Sequence, residues 1–179
     1  MSNLRIGAMP YSFEGSMFEF SDMDEFQKQW QVRHDRRGTE EYSLEFIDGT
    51  DIEYRILKAM RLDAVGEAEP KDLQLFFEIL EEDKINTDRQ ALAFEILLDH
   101  FRVKAEDALR FIDEVFLFEG TAEEYLEWYW HDTFDMSSIP AAIADNVDWK
   151  RMADQWETDK DIIVFRKEGF VLGNPHSVG

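Results

Sequence analysis

The spacing of hydrophobic and polar residues changes twice along the chain. Short runs of apolar and aromatic residues, bounded by Gly, Ser and Asp, predict three N-terminal strands at residues 4–9, 16–20 and 42–47. Between the last two runs, Phe26 and Trp30 stand at helical spacing behind Asp22, a residue type that caps helices. The sequence therefore predicts a small mixed α+β domain over residues 1–64.

Residues 65–112 follow a helical period alone. Three apolar stripes predict three short helices, on Leu73, Phe76, Phe77 and Leu80, on Leu92, Ile96 and Leu97, and on Ala105, Ala108, Leu109 and Ile112. Pro70 suits the first turn of the opening helix, and Thr87 with Gln90 resembles a capping box before the second. A small helical bundle is expected here.

Mixed patterning returns in residues 113–179. A strand is predicted at VFLFEG, and Thr121 with Glu124 forms the capping-box pattern of a helix that follows it. Asn146 or Asp148 can cap a second helix that runs through Trp156. The runs IIVFR and FVL predict a terminal β-hairpin with the three-residue loop KEG, in which Gly169 suits a left-handed conformation. The expected fold class is α+β, in three small domains.

The net charge of the chain limits the classes of partner that it can bind. Forty Asp and Glu against nineteen Lys and Arg give a net charge of -21 and a pI near 4.4, which opposes binding to nucleic acid or to an anionic membrane. A large partner should be basic. No apolar run approaches the roughly 20 residues that span a bilayer, and the N-terminus lacks a signal-peptide pattern. A cytoplasmic protein is therefore expected, and the lack of cysteine, which excludes disulfides and thiolate sites, agrees with a reducing compartment.

Motifs for catalysis or cofactor binding are missing from the sequence. The four histidines, His34, His100, His131 and His176, do not have the spacing of a zinc-binding helix, and no phosphate-binding loop, dinucleotide fingerprint or nucleophile elbow occurs. We therefore expect a protein that is not an enzyme and needs no cofactor or metal. One alternative stays open, a carboxylate-dependent hydrolase or metal-binding domain that uses a pair such as Asp48 and Asp51.

The most one-sided charge lies in the last third. Residues 1–64, 65–112 and 113–179 carry net charges of -5, -6 and -10. Within GTAEEYLEWYWHDTFDM, residues 120–136, five acids stand among two tyrosines and two tryptophans without a single Lys or Arg. A solvated acidic surface, or adaptation to a salt-rich cell, would explain charge alone. Large aromatic side chains need burial, however, so an ordered scaffold is expected to hold these acids in place.

Three segments resemble the ArdA family of antirestriction proteins, which are acidic DNA mimics carried by mobile genetic elements. They are YSFEGSMFEFSDMDEF at 11–26, EEYSLEFIDGTD at 40–51, and the stretch 122–172. The last has the family's order of an acidic aromatic helix, an Ile-Pro step, an Asp-led helix and a terminal hairpin. Phe20 stands where family members commonly have Trp, and Asn146-Val147 replaces an aromatic pair.

This resemblance implies a function and a shape. It implies an elongated, curved chain of three small domains that forms a homodimer and occupies the DNA-binding groove of a type I restriction-modification enzyme. Two copies of a chain with 40 acids match the charge of roughly 40 base pairs of duplex DNA. The acids expected to stand in for phosphates are Glu119, Glu123, Glu124, Glu127, Asp132, Asp135, Asp22, Asp24, Glu81 and Glu82. Another basic DNA-binding protein is the alternative target.

Overall fold

The computed structural model describes residues 3–11, 16–37, 42–63, 70–135 and 138–176, without the side chains of 33–37 and Pro70. The chain is mixed α+β, with two small antiparallel sheets, and divides into two compact units, Met1–Ile112 and Asp113–Gly179. Across these described ranges, no helix is both long and apolar enough to cross a bilayer.

The first unit opens with a three-stranded sheet. Its strands are β1 (Arg5–Pro10), β2 (Phe18–Phe20) and β3 (Tyr42–Asp48), in the order β2-β1-β3, and helix α1 (Met23–Arg37) connects β2 to β3. Phe18 and Phe20 point into the core while Glu19 between them is outside, because side chains alternate along a strand. The predicted strands and the predicted helix are confirmed, with ends shifted by one or two residues.

Four helices complete the first unit, α2 (Asp51–Ala59), α3 (Pro70–Glu81), α4 (Asp88–Asp99) and α5 (Ala105–Phe111), and a 3₁₀ turn follows at Ile112–Glu114. The predicted start of α3 at Pro70 is confirmed. Thr87 caps α4 as expected, since its Oγ1 accepts from Gln90 N at 3.2 Å. The capping box is not complete, because Gln90 Oε1 accepts from the backbone N–H of Asn86, the residue before the cap.

In the first unit the helices pack on one another and contact the sheet. Helix α2 packs against α4 and α3, α1 packs against α3, and the ring of Phe20 lies 6.2 Å from that of Phe77. The expected boundary after residue 64 falls at 64–69, outside the described residues. The division of residues 1–112 into two domains therefore stays a prediction.

The second unit packs two helices on a small sheet. Its elements are β4 (Leu117–Glu119), α6 (Ala122–Thr133), α7 (Ala141–Ala144), α8 (Trp149–Asp159), β5 (Ile163–Phe165) and β6 (Phe170–Leu172), with strand order β4-β6-β5. Tyr125 and Leu126 of α6, Ala153 of α8, Ile162 and Val171 form the buried centre. The predicted strand, the two predicted helices and the terminal hairpin are confirmed.

Three details of the second unit differ from the expectations. The single turn α7, behind which Asn146 donates to Ala142 O, was not revealed by the sequence pattern, while Asp148, one of the two predicted caps, does begin α8, with Oδ1 accepting from Arg151 N at 3.0 Å. Helix α8 continues three residues beyond Trp156, to Asp159. The expected three-residue hairpin loop is wrong, because Phe165 pairs with Phe170 and Arg166–Gly169 forms a four-residue turn between them.

Candidate acidic interaction surface on helix α6

A capping box fixes the start of helix α6. Glu124 N donates to Thr121 Oγ1 at 3.2 Å, and Glu124 Oε2 accepts from Thr121 N at 2.8 Å and from its hydroxyl at 3.0 Å. These hydrogen bonds from the backbone and side chain of Thr121 lower the pKa of Glu124. The preceding Gly120 has φ +141, a conformation that favours glycine. The sequence prediction of this helix start is confirmed.

Aromatic packing holds the inner side of α6. Tyr125 and Leu126 are buried, and Tyr129 meets Trp156 of α8 at 5.4 Å between ring centroids. The hydroxyl of Tyr125 donates to Gly173 O at 3.3 Å, and burial raises the pKa of Tyr125 to about 12. The helix is therefore tied to both α8 and the chain after β6, which fixes the direction of its outer side.

Three carboxylates of α6, Glu123, Glu127 and Asp132, make up what we call the acidic face. Glu123 and Glu127 lie one turn apart on one side of the helix, and Asp132 lies about 180° around the axis from Glu123. All three are exposed, and none has an ion-pair or hydrogen-bond partner in the described part of the chain. Helix α6 contains no Lys or Arg. Glu119 at the end of β4 is likewise exposed and without a partner among the described residues.

The charge density of α6 can be compared with that of a nucleic acid strand. Its twelve residues span about 18 Å, so its four carboxylates give one charge per roughly 4.5 Å of axis. A single strand within duplex DNA carries one charge per about 3.4 Å of axis. Helix α6 alone therefore approaches the linear charge density of one DNA strand.

The tryptophans of α6 have two different environments. Trp128 is 41% exposed, with its indole stacked on Phe116 at 5.5 Å and an interplanar angle of 16°. Phe118 and Tyr125 lie at 5.6 and 6.0 Å from it. Trp130 is partly buried and stacks on Phe134 at 4.5 Å, and its indole N–H has no hydrogen-bond partner among the described residues. The expectation that aromatics anchor the helix thus holds for Tyr125 and Tyr129 more than for Trp128.

The other acids that were predicted to mimic phosphates lie outside helix α6. Asp135 is exposed just after α6. In the first unit, Asp22 caps α1, since its Oδ1 accepts from Glu25 N at 2.7 Å, while Asp24 is exposed in the first turn of that helix. Glu81 and Glu82, both exposed, lie at the end of α3, and Glu82 is 2.9 Å from Lys84 Nζ. Their role as phosphate mimics stays a prediction.

Sequence reasoning missed an acidic cavity beside Glu123. The cavity has a volume of about 470 Å³, and its lining includes Glu123, Asp154, Glu157 and Arg166. Arg166 forms two hydrogen bonds to Glu157, at 2.7 and 2.6 Å, which lower the pKa of Glu157 and raise that of Arg166. Asp154 is exposed. The Asp148 cap predicts where α8 begins, but the burial of Ala153 and the exposure of Asp154 depend on tertiary neighbours.

Of the alternative pair of acids, Asp48 already has partners. Asp48 Oδ1 accepts from Gly49 N at 3.0 Å, and its Oδ2 lies 3.5 Å from Arg5 Nη2. Asp51 is exposed in the first turn of α2. Across the described ranges, no three His, Asp or Glu side chains gather where they could hold a metal ion.

Comparisons with protein-family models, with curated proteins and with solved structures found no match to this chain.

Proposed function

We propose that the chain is a non-enzymatic DNA mimic that occupies the DNA-binding groove of a type I restriction-modification enzyme. One observation carries this proposal. Glu123, Glu127 and Asp132 form an exposed acidic face without a base on a helix that Tyr125 and Leu126 fix to the core. A merely solvating acidic segment would not need such an anchored scaffold.

The physical mechanism is charge substitution. A groove that binds DNA presents Lys and Arg side chains at the positions of phosphates, and carboxylates accept the same charge-assisted hydrogen bonds. The net charge of -21 also speeds encounter with a basic surface, by an attraction that salt screens. The protein acts as a competitor for the groove, and no bond is made or broken.

The identity of the target comes from the resemblance to the ArdA family, which also implies a homodimer. Another DNA-binding protein with a basic groove is the alternative, and the same acidic face would serve it. A pull-down from a restricting host distinguishes the two targets, because it identifies the captured protein.

Competition for DNA is the direct test. A type I methyltransferase bound to labelled duplex DNA should release the DNA when this protein is added at low salt, and added salt should weaken the release steeply. Failure to displace DNA from several type I enzymes at low salt would contradict the proposed target. Calorimetry with calcium, magnesium, manganese and zinc tests the metal-dependent alternative, since micromolar binding at a defined stoichiometry would favour it.

A further inference from the structure

Trp128 is a large apolar side chain on an acidic surface. Its indole is supported from within by Phe116, Phe118 and Tyr125, and 41% of it is exposed. An exposed tryptophan held in one orientation presents a rigid ring with little conformational entropy left to lose on binding. The position is therefore suited to contact with a partner.

Carboxylates flank this ring along the same row of the helix. Glu124 lies one turn before Trp128 and Asp132 one turn after it, and residues four apart on a helix are neighbours, with about 5–6 Å between their Cβ atoms. Both bonds from Thr121 go to Oε2 of Glu124, so Oε1 has no partner among the described residues. Asp132 also has no partner in that part of the chain. The ring is thus bordered by negative charge on both sides.

We propose that Trp128, Glu124 and Asp132 form a seat for an arginine side chain of the basic partner, and that this surface selects arginine over lysine. The inference rests on the proposed function and specifies which residue of the partner's groove reaches helix α6. The guanidinium would lie against the indole while its N–H groups donate to the flanking carboxylates.

The preference follows from the chemistry of the two cations. A guanidinium is planar, stacks on aromatic rings and donates in a fixed fork that matches a carboxylate. An ammonium is a compact, strongly hydrated point charge, which pairs with carboxylates but gains less from an exposed ring. Carboxylates alone would attract both cations, and only the indole adds the stacking surface.

Two peptides of equal length and charge, oligoarginine and oligolysine, provide the test with the full chain at low salt. Calorimetry should show that Trp128→Leu lowers the preference for the arginine peptide by about two- to five-fold and leaves the affinity for the lysine peptide unchanged. The double variant Glu124→Gln/Asp132→Asn should weaken both peptides, while glutamine at position 124 retains the capping pattern. Phe134→Leu is the matched control, because Phe134 is 45% exposed after the same helix but stacks on Trp130.

The outcomes distinguish a failure of the arginine seat from a failure of the proposed function. If folded Trp128→Leu keeps the full preference for arginine, the arginine seat is overturned, and weakened binding by Glu123→Gln/Glu127→Gln would still support the acidic face. If Glu124→Gln/Asp132→Asn and Glu123→Gln/Glu127→Gln both bind the peptides as tightly as the parent, the arginine seat and the proposed function are both wrong. If Trp128→Leu does not fold, the indole N–H signal of Trp128 in the parent decides, because a seat predicts that it shifts with the arginine peptide and much less with the lysine peptide.

Discussion

Helices α2 and α6 begin in the same way but face their surroundings differently. Each follows a strand and a Gly-Thr pair, with Thr50 and Glu53 closing a capping box in the first unit as Thr121 and Glu124 do in the second. The glycines before them, Gly49 and Gly120, have φ +150 and +141. A Cβ on either glycine would approach the capping glutamate within 3 Å, which explains the shared residue.

Packing buries different residues in the first turns of these two helices. Glu53 is buried, at 7% exposure, and the next residue, Tyr54, is 44% exposed, whereas Glu124 is exposed and Tyr125 is buried at 2%. Four residues after each glutamate, Leu57 is buried and Trp128 is not. The capping hydrogen bonds therefore determine where a helix begins, and tertiary neighbours determine which side of it is buried.

The two units also treat their charges differently. In the first, basic side chains lie beside acids, in the pairs Arg5 with Glu19 and Asp48, Arg55 with Glu95, Lys58 with Asp63, Arg61 with Asp99, and Arg110 with Asp107. Residues 113–179 have 15 acids and only 5 bases, and the described pairs there join Arg166 to Glu157 and His176 to Asp161. The second unit thus has the larger share of acids available to a partner.

The largest predicted effect compares the stability losses at Leu57 and Trp128, which stand at the same position of their helices but differ in burial. Leu57→Ala should cost about 2–5 kcal/mol of unfolding free energy, because it opens a cavity in a buried core. Trp128→Ala should cost less than the 3–5 kcal/mol typical of a buried aromatic, although it removes the larger side chain. Denaturant unfolding measures both. A larger loss from Trp128→Ala would mean that packing on Phe116 outweighs exposure.

A second prediction tests the difference in charge. Changing Glu119, Glu123 and Glu127 to Gln and Asp132 to Asn should weaken inhibition by about 1–4 kcal/mol, if four exposed contacts of about 0.2–1 kcal/mol add independently. Thermal stability should stay near that of the parent, since these acids have no partners among the described residues. Inhibition and thermal unfolding are measured on the same preparation.

The matched control for this variant lies in the first unit. Changing Glu19 and Glu95 to Gln and Asp99 and Asp107 to Asn also removes four charges, but from acids that pair with arginines. It should reduce inhibition less than the first set and lower stability slightly. Equal inhibition by the two variants would show that only total charge matters and that the acidic face has no special role.

Sequence patterns predicted the elements far better than the surfaces. Thr121 with Glu124, Asp148 and Pro70 are local signals, and each marks a helix start in the structure. The exposure of Trp128 could not be read from its spacing, because it depends on Phe116 and Phe118 of a neighbouring segment. The partner of Asp48 was hidden for the same reason, because Arg5 lies on a neighbouring strand, whereas the capping role of Asp22 is a local signal that the sequence predicted.

A third prediction compares the two capping boxes. Thr50→Ala and Thr121→Ala should each cost about 0.5–2 kcal/mol, because each removes the hydroxyl that accepts from the third residue of its helix. Chemical unfolding monitored by hydrogen exchange should locate the first loss in residues 1–112 and the second in residues 113–179. Loss of protection throughout the chain in either variant would contradict separate responses of the two units.

The box of the second unit also predicts a pH dependence. Since Thr121 lowers the pKa of folded Glu124, the stabilisation is fully present above the ordinary pKa of a glutamate and is lost as pH falls through the lower folded pKa. Glu124→Gln keeps a neutral acceptor at every pH. The stability difference between parent and variant should therefore shrink as the solution is acidified through that range, and a difference that grows would contradict the assignment.

The smallest predicted effect comes from a single acid of the acidic face. Glu123→Gln should change inhibition by only about 0.2–1 kcal/mol, because one exposed ion pair is weak and neighbouring carboxylates still present charge. Its position beside Asp154 in the cavity makes it the strictest test of distributed charge, since a discrete site would be centred there. Competition assays on Glu123→Gln and Asp154→Asn, with far-ultraviolet circular dichroism to confirm folding, measure the effect. Loss of all inhibition in either folded variant would show that one carboxylate dominates, and the contrast between a paired first unit and a collectively acting second unit would then be wrong.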